Sequence, residues 1–275
     1  MKKYLILSIA LLAAACTEKY DPDYAEPFIA PQGRSVFTAE VLPLSGTWTW
    51  YASLSRVGVY GSNVSNASFS PRAAFDGASG RAELMGRDVL GRAYAYLPYT
   101  VEGYDAVAEG CQPLSGEQRF FPGAAEQIEG NEILVAAADE EGLFRFVHRC
   151  GVLRLDVAIT LGENVKTLTL SAAEPVAGWL EMEDIPGMKN PLYSVTVRGI
   201  DAPCSEQAPL SVWVMLPEGN YTGLFITVAG ETESISTIVE GTYEILSGKE
   251  TVAGAKEQKN NYDGSDFESE EVVYD

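Results

Sequence analysis

Residues 144–159 read FRFVHRCGVLRLDVAI, and the alternation of apolar side chains along them decides the fold. Phe144, Phe146 and His148 share one face of an extended chain. After Cys150 and Gly151 the apolar parity flips: Leu153, Leu155, Val157 and Ile159 form the inward series, with Arg154 and Asp156 opposed. A slip of one residue would turn the whole set toward water, so a bulge or bend at Gly151 is predicted to keep both parts packed. A domain junction is placed just before this run, dividing the chain into two halves of similar style.

Working outward toward the N-terminus, residues 35–42 (SVFTAEVL) alternate as a first strand. Residues 56–61, 72–76, 82–85 and 91–99 follow as strand candidates, with Pro98 ending the last by removing a donor. Asn63 and Asn66 begin two Asn-x-Ser triplets that read as a loop. Residues 100–130 are loop-rich, and 133–138 (ILVAAA) read as a buried strand.

Toward the C-terminus, 166–171 (KTLTLS) and 193–198 (YSVTVR) alternate cleanly. Residues 210–216 (LSVWVML) are nearly all apolar, as a central strand covered on both faces would be. Residues 217–220 (PEGN) predict a hairpin into 221–228, with 233–239 and 242–246 completing the sheets. Short strands separated by turns, in two runs, make an all-β chain of antiparallel β-sandwiches. The expected division is 33–142 and 143–255, followed by a solvated acidic tail at 256–275.

Charge narrows the function. With 19 basic and 39 acidic residues the net charge is -20, a surface that repels phosphate backbones and anionic lipid heads, so no nucleic acid partner is expected. Catalytic machinery is missing too. The single histidine, His148, shares its face with phenylalanines and reads as structural. No GxSxG, HExxH or GxxxxGK[ST] motif occurs, and Asp263-Gly264-Ser265-Asp266 lacks the ligand spacing of an EF-hand loop. No catalytic residue, no metal ligand and no cofactor is expected, and the chain reads as a non-enzyme. Trp48, Trp50, Trp179 and Trp213 stand in four separate contexts and read as strand packing rather than a sugar-stacking platform. Cys111, Cys150 and Cys204 fit no zinc spacing; one pair could bridge, but buried unpaired thiols are the expectation.

The N-terminus is a targeting signal. Lys2 and Lys3 precede a short apolar run that ends in three alanines before Cys16, too short to stay in a bilayer as a helix. Small residues running into one cysteine resemble the lipobox of bacterial lipoproteins, which implies signal peptide 1–15 and lipidation of Cys16; the alternative is a secretory signal cut near Ala15. Residues 16–32 are acidic and proline-punctuated, and read as a disordered tether.

An ordered series then runs through the chain: Trp48, Arg56-Val-Gly-Val-Tyr60, Phe75, Ala95-Tyr96-Leu97-Pro98-Tyr99, Leu134-Val135-Ala136, Phe146-Val-His148, Gly178 and Leu216-Pro217. As a set it resembles the fimbrillin family, the FimA-type and Mfa-like surface lipoproteins of type V fimbriae in Bacteroidetes. The resemblance covers roughly residues 35 to 250. It implies two tandem transthyretin-like sandwiches on an outer-membrane lipoprotein displayed at the cell surface, with other fimbrial subunits and surface ligands of host or bacterial cells as partners. It also implies assembly by β-strand addition, in which a first strand is lost after an arginine-specific cut and a neighbour's strand fills the groove. Carried onto this chain, the exchanged strand is Ser35, Val36, Phe37, Thr38, Ala39, Glu40 and Val41, and the candidate processing sites are Arg34 and Arg56. The tail offers strand character only at 272–274, which favours an accessory, anchor or tip subunit. The alternative is a carbohydrate- or ligand-binding surface lipoprotein that serves nutrient uptake.

Overall fold

The computed structural model describes residues 33–41, 44–45, 49–50, 56–72, 80–99, 110–123, 127–128, 131–181 and 187–256. The first half begins with β1 (Arg34–Val41), a short pair β2 (Leu44–Ser45) and β3 (Thr49–Trp50), then β4 (Val57–Gly61), β5 (Val64–Pro71), β6 (Arg81–Arg87) and β7 (Tyr94–Leu97). Next come β8 (Cys111–Leu114), β9 (Glu117–Arg119), β10 (Leu134–Ala137) and β11 (Leu143–His148). Seven of these close on themselves in the order β1-β11-β10-β7-β4-β5-β6. Strand alternation builds the interior, since every second residue of each strand points inward. Ala39, Val41, Val57, Val59, Phe69, Leu84, Phe144 and Phe146 fill it.

The second half contains β12 (Cys150–Ala158), β13 (Val165–Ser171), β14 (Ala177–Glu181), β15 (Met188–Leu192), β16 (Ser194–Ala202), β17 (Leu210–Pro217), β18 (Gly219–Ala229), β19 (Ser234–Ile245) and β20 (Glu250–Lys256). Two sheets, β17-β12-β20 and β19-β18-β13-β16-β9, enclose a core of Leu153, Leu155, Val157, Leu168, Leu170, Val195, Val214 and Ile226, among others. A third sheet, β15-β14-β8, stands beside them. The all-β sandwich architecture expected from the turn spacing is therefore what the chain adopts.

Several details differ from the sequence reading. Phe144, Phe146 and His148 are buried on one face as expected, but the strand breaks at Arg149, not Gly151. Gly151 pairs regularly with Leu216 inside β12; what its missing side chain permits is close approach of the chain at residues 245–246. Sheet membership accordingly changes at Arg149, since β11 pairs with β1 and β10 whereas β12 pairs with β17 and β20. Residues 217–220 do not form a hairpin: β17 pairs with β12, and β18 with β13 and β19. The single residue between β17 and β18 is too short a loop for one, and it carries the chain from one sheet to the other. For the same reason β17 is a sheet edge rather than a central strand. Asn66 lies within β5, where its Oδ1 accepts the Tyr96 hydroxyl at 2.6 Å. The loop-rich passage after residue 100 yields β8, paired with β14, and β9, parallel to β16, so that segment reaches into the second half's sheets.

Candidate functional site

β1 is the strand on which the barrel closes. It runs antiparallel to β6 from Arg34↔Arg87 to Glu40↔Arg81, and parallel to β11 from Thr38↔Leu143 to Val41↔Phe146. Its inward residues follow the odd positions. The Phe37 ring lies 4.6 Å from that of Phe144 and 5.8 Å from that of Phe69. Ala39 is fully buried and Val41 nearly so. Ser35 Oγ accepts the Val89 amide at 3.0 Å and donates to Asp88 Oδ1 at 3.1 Å. Without β1, the facing edges of β6 and β11 lose their ladder partners and the Phe69, Leu84, Phe144 and Phe146 side chains lose a wall. That is the geometry β-strand addition requires.

The outward face adds a charge readout. Glu40 stands between two arginines of the flanking strands, with Arg81 Nη2 at 3.3 Å from Oε1 and Arg145 Nε at 3.7 Å from Oε2. Arg145 also reaches Asp139 Oδ2 at 3.1 Å. Asp139 organises the turn between β10 and β11: its Oδ1 accepts the Leu143 amide at 2.9 Å and the Glu141 amide at 3.0 Å. The Leu143 amide first, then the Glu141 amide and Arg145, hold the Asp139 carboxyl below the usual carboxylate range. Pairing of β1 with β11 begins only at Thr38, and beside the earlier residues lies a cavity of about 580 Å³ lined by Phe37, Arg92, Ala138, Asp139 and others.

The expected strand Ser35–Val41 thus falls within β1, flanked by Arg34 at its start. Arg34 is exposed and faces Arg87 across the ladder. Arg56 is also exposed, but it abuts β4: its carbonyl accepts the Tyr99 amide at 3.3 Å and its guanidinium lies 5.2 Å from the Tyr99 ring centroid. Val57, the residue after it, is fully buried. The structure brings Arg34 to the start of β1 and leaves Arg56 at the opposite side of a segment of which only 44–45 and 49–50 are described. Cys16, Trp48, Phe75 and the acidic tail lie outside the described residues.

His148 is buried and its Nδ1 pairs with the buried Glu132 carboxylate. The three cysteines are free and buried, and Cys204 Sγ donates to the Val157 carbonyl at 3.0 Å. Burial chiefly, with the Glu132 charge second, pushes the Cys150 thiol far above its ordinary pKa, which keeps it protonated and unreactive. Among the described residues no group of three or more His, Cys, Asp or Glu side chains could hold a metal ion.

Two residues that sequence reasoning passed over guard the other obvious edge. Gln118 Oε1 accepts the Met215 amide at 2.9 Å while its Nε2 donates to the Met215 carbonyl at 2.8 Å. Gln127 Nε2 donates to the Trp213 carbonyl at 2.5 Å. Glutamine side chains thus take the place of a strand along β17. No local pattern signals this, because Gln118 and Met215 are 97 positions apart.

No family model matches the sequence, and no curated protein matches it. Solved structures do. A proposed cell adhesion protein of Bacteroides ovatus superposes with TM-score 0.47 at 14% identity, covering 80% of this chain and 91% of that one. A proposed cell adhesion protein of Bacteroides uniformis gives 0.44 at 13%, covering 83% and 95%. A fimbrial assembly protein of Parabacteroides distasonis gives 0.41 at 7%, covering 82% and 92%. The proteins it is similar to are cell adhesion and fimbrial proteins. Both identity and TM-score are low, and the functional reading below is built on the chain's own residues.

Proposed function

We propose that this chain is a fimbrillin-like structural and adhesive subunit of a cell-surface fimbrium. It is an accessory, anchor or tip component, held to the outer membrane through a lipid on Cys16 and joined to its neighbours by β-strand addition, and its role is not enzymatic. What carries the reading is the position of β1. The strand nearest the tether completes a hydrophobic barrel between β6 and β11, so its departure opens a groove with two unpaired edges and a floor of phenylalanines. The ordered motif series and the lipobox support it from the sequence side. The glutamine-covered edge of β17 supports it by contrast, because an edge closed by side chains is withheld from a partner strand.

The test is the mature N-terminus of protein recovered from the cell surface, read by mass spectrometry. An acylated Cys16 on an intact chain supports the anchored subunit, whereas a chain beginning at Val57 has lost Cys16 with β1 and would support strand release while contradicting the lipid anchor. A chain with an unmodified N-terminus, found only as a free periplasmic monomer, would overturn the proposal.

A further inference from the structure

We propose that the outer face of the sheet β19-β18-β13-β16-β9 is a binding platform for a neutral polysaccharide, laid across the strands over rows of hydroxyls and against two exposed aromatic residues. The site gives the adhesive part of the reading above a ligand class and a location. It rests on that part alone, and not on the release of β1, which belongs to a different sheet.

Alternation fixes what this face shows. Leu168, Leu170, Val195, Val197, Ile226 and Val228 are buried in the core, so their neighbours in sequence point outward. Glu117, Thr196, Thr169, Thr227 and Ser236 stand in one row across the five strands. At the usual strand spacing that row is about 19 Å long. The next row holds Ser194, Ser171, Phe225 and Ile238. The Thr169 and Thr196 hydroxyl oxygens lie 3.0 Å apart, and those of Thr227 and Ser236 2.8 Å apart. Each pair uses one O–H internally and keeps the other, with its remaining lone pairs, for a ligand.

A saccharide is complementary to such a surface, because it carries hydroxyls that both donate and accept, and apolar C–H faces besides. Phe225 and Ile238 pair across β18 and β19 and are 45% and 48% exposed. Tyr193, 52% exposed, directly precedes Ser194 at the same end of the face. Among the described residues Phe225 and Tyr193 are the two exposed aromatic side chains. Both border the hydroxyl rows instead of being scattered singly, as exposed apolar residues without a role are. Stacking a sugar ring on either buries apolar area that water otherwise covers. Charge then selects among saccharides. Glu117 is the one charged member of the two rows, and Arg198 Nη2 neutralises it at 2.8 Å. The patch offers an anionic polymer no counter-charge, while the rest of a chain of net charge -20 repels one.

The experiment runs the full mature chain through native gels that contain xyloglucan, galactomannan, amylopectin or polygalacturonate, and reads its retardation against a gel without polymer. At least one of the three neutral polymers is expected to retard it, and polygalacturonate is not. Phe225→Ala and Tyr193→Ala should each weaken the association by about tenfold, the scale of one aromatic contact, while Phe225→Tyr keeps it. Thr169→Val removes a hydroxyl from an outward position and should weaken it several-fold. Val252→Ala, at an equally exposed apolar residue on β20, should leave it unchanged. Absence of retardation by every neutral polymer would overturn the inference, as would binding that Phe225→Ala leaves intact, or stronger binding to polygalacturonate. A chain that binds no polymer but dimerises in sedimentation until Phe225→Ala abolishes it would assign the face to a second copy, and overturn the inference too. The release of β1 is read separately from the mature N-terminus, so failure here leaves the strand-addition reading standing.

Discussion

A Cβ on Gly151 would stand 2.5 Å from the Leu246 carbonyl oxygen and 2.6 Å from an Ile245 methyl. Backbone cannot yield as a side chain can, so Gly151→Ala is expected to cost about 1–3 kcal/mol, measured by denaturant unfolding; an unchanged midpoint would contradict this packing. Gln118→Ala leaves the Met215 amide and carbonyl of a buried strand without their partners, an expected loss of about 2–4 kcal/mol. The same variant uncovers the edge of β17, so it is also expected to self-associate in sedimentation. At this scale the sequence was only partly legible. The inward parity of Phe144, Phe146 and His148 could be read from alternation, because strand side chains must alternate. The partner of His148, Glu132, could not be, since nothing local pairs residues on different strands.

Among elements, the loop entering β19 is held by one carboxylate. Glu163 Oε1 accepts the Thr232 amide at 2.7 Å and the Glu233 amide at 2.8 Å. Those amides, Thr232 first, lower its pKa in the folded chain. A lowered folded pKa contributes stability above the unfolded value of about 4.3, and the contribution is lost as pH falls through the lower folded value. Unfolding measured against pH is therefore expected to show a shallower acid limb for Glu163→Gln than for the unchanged chain. An identical limb would contradict it. Strand positions themselves were legible, with residues 166–171, 194–198 and 210–216 falling on strands; Tyr193, expected to start the second of these on its core side, lies instead between β15 and β16 and is exposed. Pairing was not. A hairpin at 217–220 looked natural from its turn residues, but those residues fix a local change of direction and say nothing of which sheet receives the next strand. The parallel pairing of β1 with β11 is likewise a product of closure, invisible in either segment alone.

Across the whole molecule, a third core joins the two halves. Tyr96, Ile133 and Val135 from the barrel pack with Cys150, Val152 and Met215 from the sheet beyond it. Met215→Ala should therefore lower one cooperative transition, by about 2–4 kcal/mol, rather than split it into two in calorimetry. Two separate transitions would show that the halves unfold independently. The central claim concerns β1, and locking it in place tests that claim most directly. Thr38 and Glu83 face each other across β1 and β6, and a Thr38→Cys/Glu83→Cys variant can tie the strand down without touching the core. The measurement is incorporation of this variant into surface multimers under oxidising and reducing conditions. The account predicts a folded subunit excluded from assembly when oxidised and restored by reductant. Equal incorporation in both states would show that β1 never leaves its place, and would contradict the account.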